Sequence, residues 1–501
     1  MKKLLLSATV VAGLFAQPTV DALQKQINEL QQQLKELKAK QAEQNDRYYK
    51  KVAPIVANNH LFWSYDLRTT FDAISEDTTG GPAFTVTGNS DNTVTMQMTG
   101  GTQDKTSYGN QIFTNRVILT GVYKPSDALK ATVKIEANNI FGMQAETSYS
   151  PYQNVPWVAN ETPDDNNIRL KEAFFNYFFG DDLMFSAGRR PATNGYPANL
   201  REGDDPASPL AHLINMEFDG FSFKIGNGEF SKLSDSFGDW GTWLKFCAGR
   251  GYSSSAGKWP YNFAPAYSST DESDGLKNMD FAGFIFVPYD DGQYSLWTET
   301  VWAWHVQGYA MMDSNLSTAT FKYGMADFGG YFGENVILKA DGIGDGINDF
   351  LDDTKAFISY AMSKTQGVKK VPIGVNMTDG STIYQEGHTG TSIWIGADMP
   401  AGDNARFGVN IVKGSKYWRS FTYGEDTLIG SIAAVRGKAF DIYYNKQIVP
   451  HLTAGIRYTY IKYDHAGSDG FFGMMMDPDY ADGFGYVEKA KDLRAYIRYS
   501  F

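Results

Sequence analysis

The chain has one cysteine, Cys247, in 501 residues, so no internal disulfide can form and the small disulfide-stapled folds are excluded. Beyond the first sixteen residues no apolar run approaches the roughly 18 that a transmembrane helix needs. The run FAGFIFV, residues 281–287, is among the longest, and a helical membrane protein is excluded. Basic charge is in deficit as well. Lys and Arg total 45 against 57 Asp and Glu, a net charge of -12, whereas general nucleic-acid binding needs clustered cations. Nucleic acid therefore drops out as a partner. What the chain does contain is 50 glycines and 15% aromatic residues, a mixture suited to strands and turns rather than helices. At this length the alternatives are two or three ordinary domains or one large barrel, and the composition favours the barrel.

The opening MKKLLLSATVVAGLFA pairs two lysines with an apolar stretch and small residues, the pattern of a secretory signal peptide. Residues 1–22 are assigned to it, with cleavage after Ala16 or Ala22. In residues 23–45, Leu23, Ile27, Leu30, Leu34 and Leu37 are spaced four, three, four, three, which makes a heptad seam for a short coiled-coil helix. So short a seam assembles when chains are already held together, because nucleating a short helix is costly. Residues 46–59 read as a linker, and residues 60–501 as the main domain.

That domain is a succession of two-faced strands. In LFWSYDLRTTFD, Leu61, Trp63, Tyr65, Leu67 and Phe71 alternate with Ser64, Asp66, Arg68, Thr70 and Asp72. LKATVKIEAN and LTAGIRYTYIKY repeat the pattern, setting Lys130, Lys134 and Glu136 or Arg457 against apolar partners. Weaker versions occur near 110–123, 168–179, 183–189, 220–227, 279–289, 293–304, 355–362, 391–399, 405–413 and 438–448. A soluble sandwich alternates in the same way, so three further signs decide. Connections come in two sizes: tight turns such as 124–128, 180–182, 288–292, 400–404 and 449–451, and long polar loops such as 73–108, 141–166, 190–218, 250–278 and 464–490. Several strands run to ten or more residues, longer than globular strands of about five or six. Aromatics gather at strand ends, among them Trp63, Tyr65, Tyr123, Phe179, Tyr289, Tyr294, Trp302, Trp304, Tyr460, Tyr463, Tyr499 and Phe501. The expectation is an all-β fold: a transmembrane antiparallel barrel of about 16 strands, with 18 or 14 as alternatives, preceded by the helix.

The last residues, YIRYSF, resemble the C-terminal signature of bacterial outer-membrane β-barrels. That resemblance implies a Gram-negative outer membrane, contact with its lipid and lipopolysaccharide, and recognition of Tyr499 and Phe501 by the barrel-assembly machinery. Signal peptide, heptad helix and barrel together resemble the trimeric porins with an N-terminal periplasmic coiled coil, which implies a homotrimer. The block FSAGRRPATNGYPANLREGDDPASPLAHLINMEFDGFSF, residues 185–223, is similar to a porin-like family of unknown function from epsilon-branch Gram-negative bacteria.

A diffusion pore needs a polar wall, a narrow point and fixed charges, and no catalyst or cofactor. Parity puts Arg116, Lys130, Lys134, Arg457, Arg494 and Arg498 on the polar face of their strands. In 188–209, Arg189 and Arg190 end a strand, prolines and glycines fold the chain, and Arg201, Glu202, Asp204 and Asp205 follow; this is the candidate for an inward loop that narrows the pore. A cationic wall predicts weak anion preference despite the acidic total, unless Glu202, Asp204 and Asp205 also fold inward and leave a transverse field with little ionic preference. ADGIGDGINDFLDD places Asp341, Asp345, Asp349 and Asp352 at calcium-loop spacings, but Ile343 replaces a ligand, so a solvated acidic loop is the reading. None of the six histidines lies in a nucleophile motif or a paired metal spacing, which argues against an outer-membrane enzyme. A surface adhesin or structural barrel is the alternative function.

Overall fold

The computed structural model describes residues 60–89, 93–142, 168–252, 277–344, 346–422, 426–467 and 477–501. The expected signal peptide, coiled-coil helix and linker lie outside these residues. In chain order, β1 (Leu61–Thr78) leads to a hairpin of β2 (Gly81–Gly88) and β3 (Val94–Gln103). Next come β4 (Ser107–Ser126), β5 (Leu129–Ile140), β6 (Ile168–Phe179), β7 (Leu183–Arg190), β8 (Phe218–Ile225), β9 (Trp243–Tyr252), β10 (Met279–Asp290) and β11 (Tyr294–Trp304). A second hairpin, β12 (Gln307–Asn315) and β13 (Thr320–Asp327), precedes β14 (Tyr331–Asp341) and β15 (Lys355–Thr365). After a third, β16 (Val368–Val375) and β17 (Thr382–Gln385), the chain ends with β18 (Thr389–Pro400), β19 (Ala405–Gly414), β20 (Gly437–Val449), β21 (Leu452–Tyr463) and β22 (Val487–Ser500).

Sixteen of these strands close one antiparallel barrel, and the three hairpins stand outside it. The closing seam pairs the first wall strand with the last: Leu67 lies opposite Tyr499 and Asp72 opposite Arg494. Phe501 finishes the seam, its N–H donating to the Tyr65 carbonyl at 3.0 Å and its carbonyl accepting from the Tyr65 N–H at 2.9 Å, with the two rings stacked. Outside, the wall is apolar and exposed: Leu67, Val117, Ile135, Phe221, Phe246, Ile358, Ile395, Ile411 and Ile497 all face away from the barrel.

Two wall strands, β9 and β14, were not among the segments expected from alternation. The division of connections also needs correcting. Residues 226–242 and 342–354, the latter carrying the acidic run, lie at the short-turn end although each is long. Tyr463 is not a girdle residue; it points inward, 2% exposed, and its hydroxyl donates to the Ile429 carbonyl at 2.9 Å.

The long-loop end is bridged. β2 and β3 pair with β13 and β12 in a four-stranded sheet, order β12-β13-β3-β2. The wall strands that carry these hairpins, β1 and β4 on one side and β11 and β14 on the other, are half a circumference apart, so the sheet crosses the barrel's mouth. Met311, Phe321 and Tyr323 form its core with Phe84 and Met96 packed against them.

Inside, residues 191–217 leave β7 and fold into the barrel. Leu213, Ile214 and Met216 pack with Met279, Phe281, Val301, Tyr331, Trp418 and Phe421, while Tyr196, Leu200 and Leu210 pack with Ile337, Phe357, Trp394 and Val412. The folded-in segment therefore leans on the β10–β19 side of the wall, where burial of each large apolar side chain contributes about 1.5–3 kcal/mol.

Candidate functional site: an ionic seam inside the barrel

Polar contacts fix where the folded-in segment sits. His212 lies between Ser359 on β15 and Ser392 on β18, with ring nitrogens 2.8 Å and 2.9 Å from the two hydroxyls. Burial pushes its pKa down to about 3, so the ring stays neutral and each nitrogen is held by a hydroxyl. Leu210 N–H donates to Glu299 on β11 at 3.2 Å, and Asn215 N–H to the Phe421 carbonyl at 2.6 Å.

Anchored along that side, the segment turns its charged residues toward the opposite wall. Successive inward positions on a strand are two residues apart. Accordingly β1 presents Asp66, Arg68 and Asp72, β4 presents Arg116, β21 presents Arg457, and β22 presents Asp492, Arg494 and Arg498. A 3₁₀ turn, Ala198–Arg201, delivers Arg201, Glu202 and Asp204 to them, and a second folded-in segment between β19 and β20 delivers Asp426.

Arg68 pairs with Glu202 at 2.7 Å and also contacts Asp426. Arg116 lies 3.4 Å from Asp66, 3.5 Å from Asp426 and 3.8 Å from Glu202. Arg494 bridges Asp72 at 2.6 Å and Asp426 at 3.2 Å. Arg498 holds Asp204 at 2.6 Å and contacts Asp66. Arg201 reaches across to Asp441 on β20 at 3.0 Å, with Arg457 3.9 Å from the same carboxylate. Burial opposes ionisation of Glu202, but Arg68, Arg116 and Arg498 hold its carboxyl well below the usual range. Asp426 is likewise held low, burial being outweighed by Arg494, Arg68 and Arg116. Asp204 is pushed up, because burial and the neighbouring Glu202 outweigh Arg498.

Beside this seam a polar vestibule of about 670 Å³ reaches the short-turn end, lined by Asp66, Arg116, Lys134, Lys171, Glu172, Asp204, Asp205 and Arg498 among others, with Phe501 at its edge. Its charges are also matched, Lys134 to Glu172 at 2.6 Å and Lys171 to Glu136 at 2.8 Å.

Of the residues singled out in the sequence, Arg116, Arg201, Glu202, Asp204, Arg457, Arg494 and Arg498 meet in the seam, and Lys134 and Asp205 line the vestibule. Lys130 sits nearer the short-turn end of β5, opposite Asn176. Arg190 faces inward but away from the seam, over the Phe174 ring and beside Ser208 and Lys245. Arg189 is on the outer face, 3.0 Å from Asp219, so it does not line the interior. Adjacent strand residues face opposite ways, and Arg189 and Arg190 cannot act as a pair. Asp426 and Asp441 were not singled out. Asp426 lies in a segment without periodicity, and no local pattern marks it.

Asp341, from the degraded calcium loop, ends β14 and pairs with Lys355 at 3.4 Å; Asp349 and Asp352 lie in a one-turn helix, and Asp345 lies outside the described residues. Elsewhere His388, Asp477 and Asp479 bring ligand atoms within 4.8 Å of one another. Their own contacts satisfy them: His388 Nε2 is 2.6 Å from Asp477, and Lys416 and Tyr417 bind Asp479.

No curated protein sequence matches this chain. Among solved structures it is similar to an anion-selective porin from Comamonas acidovorans, with 11% identity over 88% of this chain and 99% of that one and a TM-score of 0.41. It is similar to OmpT, an outer-membrane protein of Vibrio cholerae, at 11% identity over 88% and 97% of the two chains, TM-score 0.42. OmpF of Salmonella typhi, solved with daunomycin, gives 12% identity over 89% and 99%, TM-score 0.40. The family described as "Protein of unknown function (DUF3373)" matches residues 106–501, most of the sequence, and the chain belongs to that family.

Proposed function

We propose that the protein is a porin of the Gram-negative outer membrane, a passive channel for small hydrophilic solutes. One observation carries this reading: a segment folded inside a closed barrel sets Glu202 and Asp204 against an arginine-bearing wall, beside a polar vestibule of about 670 Å³. Such opposed charges at a narrow point favour polar solutes by a field across the path. The exposed apolar outer wall, with Trp63, Tyr65, Tyr123, Tyr294 and Tyr499 toward the short-turn end, supports a membrane setting. The heptad helix and Phe501 keep the roles that the sequence suggests, trimer assembly in the periplasm and recognition by the barrel-assembly machinery.

Selectivity follows from charge balance. Six arginines (68, 116, 201, 457, 494 and 498) face seven carboxylates (66, 72, 202, 204, 426, 441 and 492), so a wall that alone would favour anions is offset. The full-length protein in planar bilayers is expected to give stepwise conductance with little ionic preference. Glu202→Gln with Asp426→Asn, which leaves arginines unbalanced, is expected to favour anions by roughly tenfold at low salt. Absence of conductance at every potential overturns the reading. It would favour a structural or adhesive barrel, for which the apolar packing inside and the sheet across the mouth already speak.

A further inference from the structure

Near the long-loop end, the outer wall carries a row of like charges. Lys413 on β19 lies directly opposite Lys438 on β20, Lys438 opposite Lys462 on β21, and Lys462 opposite Lys489 on β22. All four have outward parity, because the residues that alternate with them, Val412, Ala439, Ile461 and Ala490, are buried inside. Lys491 extends the row one outward position along β22. Directly opposed residues in an antiparallel pair have Cα atoms only about 5 Å apart, and like charges there are destabilising. Four neighbouring strands nonetheless repeat the arrangement.

Two carboxylates stand close among the described residues. Asp464 is 3.4 Å from Lys462, and Asp77 on β1 lies opposite Lys489. Five lysines thus face two acids. Half a circumference away, the wall handles the same problem within itself. Arg189, Asp219, Arg250 and Asp280 stand opposite one another on β7 to β10 with alternating signs, and the pairs close at 3.0 Å and 2.7 Å. That row is complete in its own charges, whereas the lysine row calls for an anion from outside.

Its level indicates which anion. The next outward residues toward the short-turn end are Ile411, Phe440, Tyr460 and, beyond Lys491, Leu493, so the lysines stand where the apolar band ends. Long lysine side chains at such a boundary extend their ammonium groups to the headgroup layer. We infer that this strip binds the phosphate groups of a phosphorylated lipid in the outer leaflet, several ammonium groups sharing each lipid while its acyl chains lie on Ile411, Phe440 and Leu493. The inference rests on the outer-membrane reading but not on an open pore.

The test uses the full-length protein in phosphatidylcholine vesicles with diphosphoryl lipid A or the same lipid stripped of phosphates, with bound lipid counted by native mass spectrometry after extraction. Wild type should retain the phosphorylated lipid and lose it as salt rises. Joint Lys413→Gln, Lys438→Gln, Lys462→Gln and Lys489→Gln should weaken retention by roughly a hundredfold. Lys124→Gln with Lys446→Gln, at the short-turn end, should change it little. Equal retention of the two lipids by wild type overturns the inference without need of any variant. So does competition by free pyrophosphate alone with no acyl requirement, or a change of oligomeric state in the quadruple variant without loss of lipid, which would mark a protein interface. Conductance recorded on the same samples separates this outcome from failure of the channel reading.

Discussion

β10 turns Met279, Phe281, Ile285 and Val287 toward the barrel's interior, whereas β22 turns Asp492, Arg494, Tyr496 and Arg498. Their outer faces are alike, Ala282, Phe284 and Phe286 on one and Leu493, Ile497 and Tyr499 on the other. The two inner faces contribute to the fold by different physics. Apolar side chains near β10 gain stability wherever they exclude water, and the folded-in segments give them something to exclude it with. Buried ions gain only from matching; against desolvation a well-paired set breaks roughly even. One side of the barrel therefore holds the inner segments in place, and the other can be spent on a charged, wettable path. A barrel lined all round like β22 would be left with its inner segments unanchored.

Phe421→Ala is the strongest way to break that contrast. Phe421 is fully buried, with its ring 5.0 Å from Phe281 and 4.7 Å from Tyr331, and truncation should cost about 3–5 kcal/mol, read as a lower urea midpoint for heat-modifiable gel migration. A wild-type midpoint would mean that the apolar side anchors nothing. On the charged side, Arg494→Met strands Asp72 and takes from Asp426 one of its three arginines, and should cost about 3 kcal/mol, most of it regained when Asp72→Asn and Asp426→Asn are added. Single and triple variants of equal stability would show the seam to be solvated rather than matched.

The smallest effect is one of pH. Burial raises the Glu217 carboxyl to about 7, only partly offset by Lys171 and by the Thr193 hydroxyl at 2.8 Å. A raised acid holds its proton more tightly folded than unfolded, so its contribution is complete below the unfolded value of about 4.5 and is lost as pH rises through about 7. Glu217→Gln should thus leave stability at pH 4 unchanged and raise it at pH 8. A parallel shift at both pH values would refute the assignment.

The same contrast explains what alternation revealed. β1, β5, β21 and β22 read clearly because a lipid-like outer face meets a charged inner one. On β10 both faces are apolar, and FAGFIFV shows the period only weakly. β14 and β9 lack a clear alternation because Ile337, Tyr331 or Trp243 face inward beside outward Leu338, Phe332 or Leu244. The hairpins across the mouth were hidden by distance, since β3 and β13 pair over more than 200 residues. The inward segment itself is legible in its prolines, glycines and clustered charges, but strand parity puts Arg189 outside and Arg190 inside.

What the sequence determined alone was parity: a period of two assigns each wall residue to the outer or the inner face, and the aromatic C-terminal strand matches the first strand it closes against. Which cation meets which carboxylate was decided only by closure and by the folding-in of two segments. Arg494 meets Asp72 across 422 residues and Arg68 meets Glu202 across 134. Charge–charge energy depends on separation in space and on burial, and neither quantity exists for a strand until the barrel has closed around it.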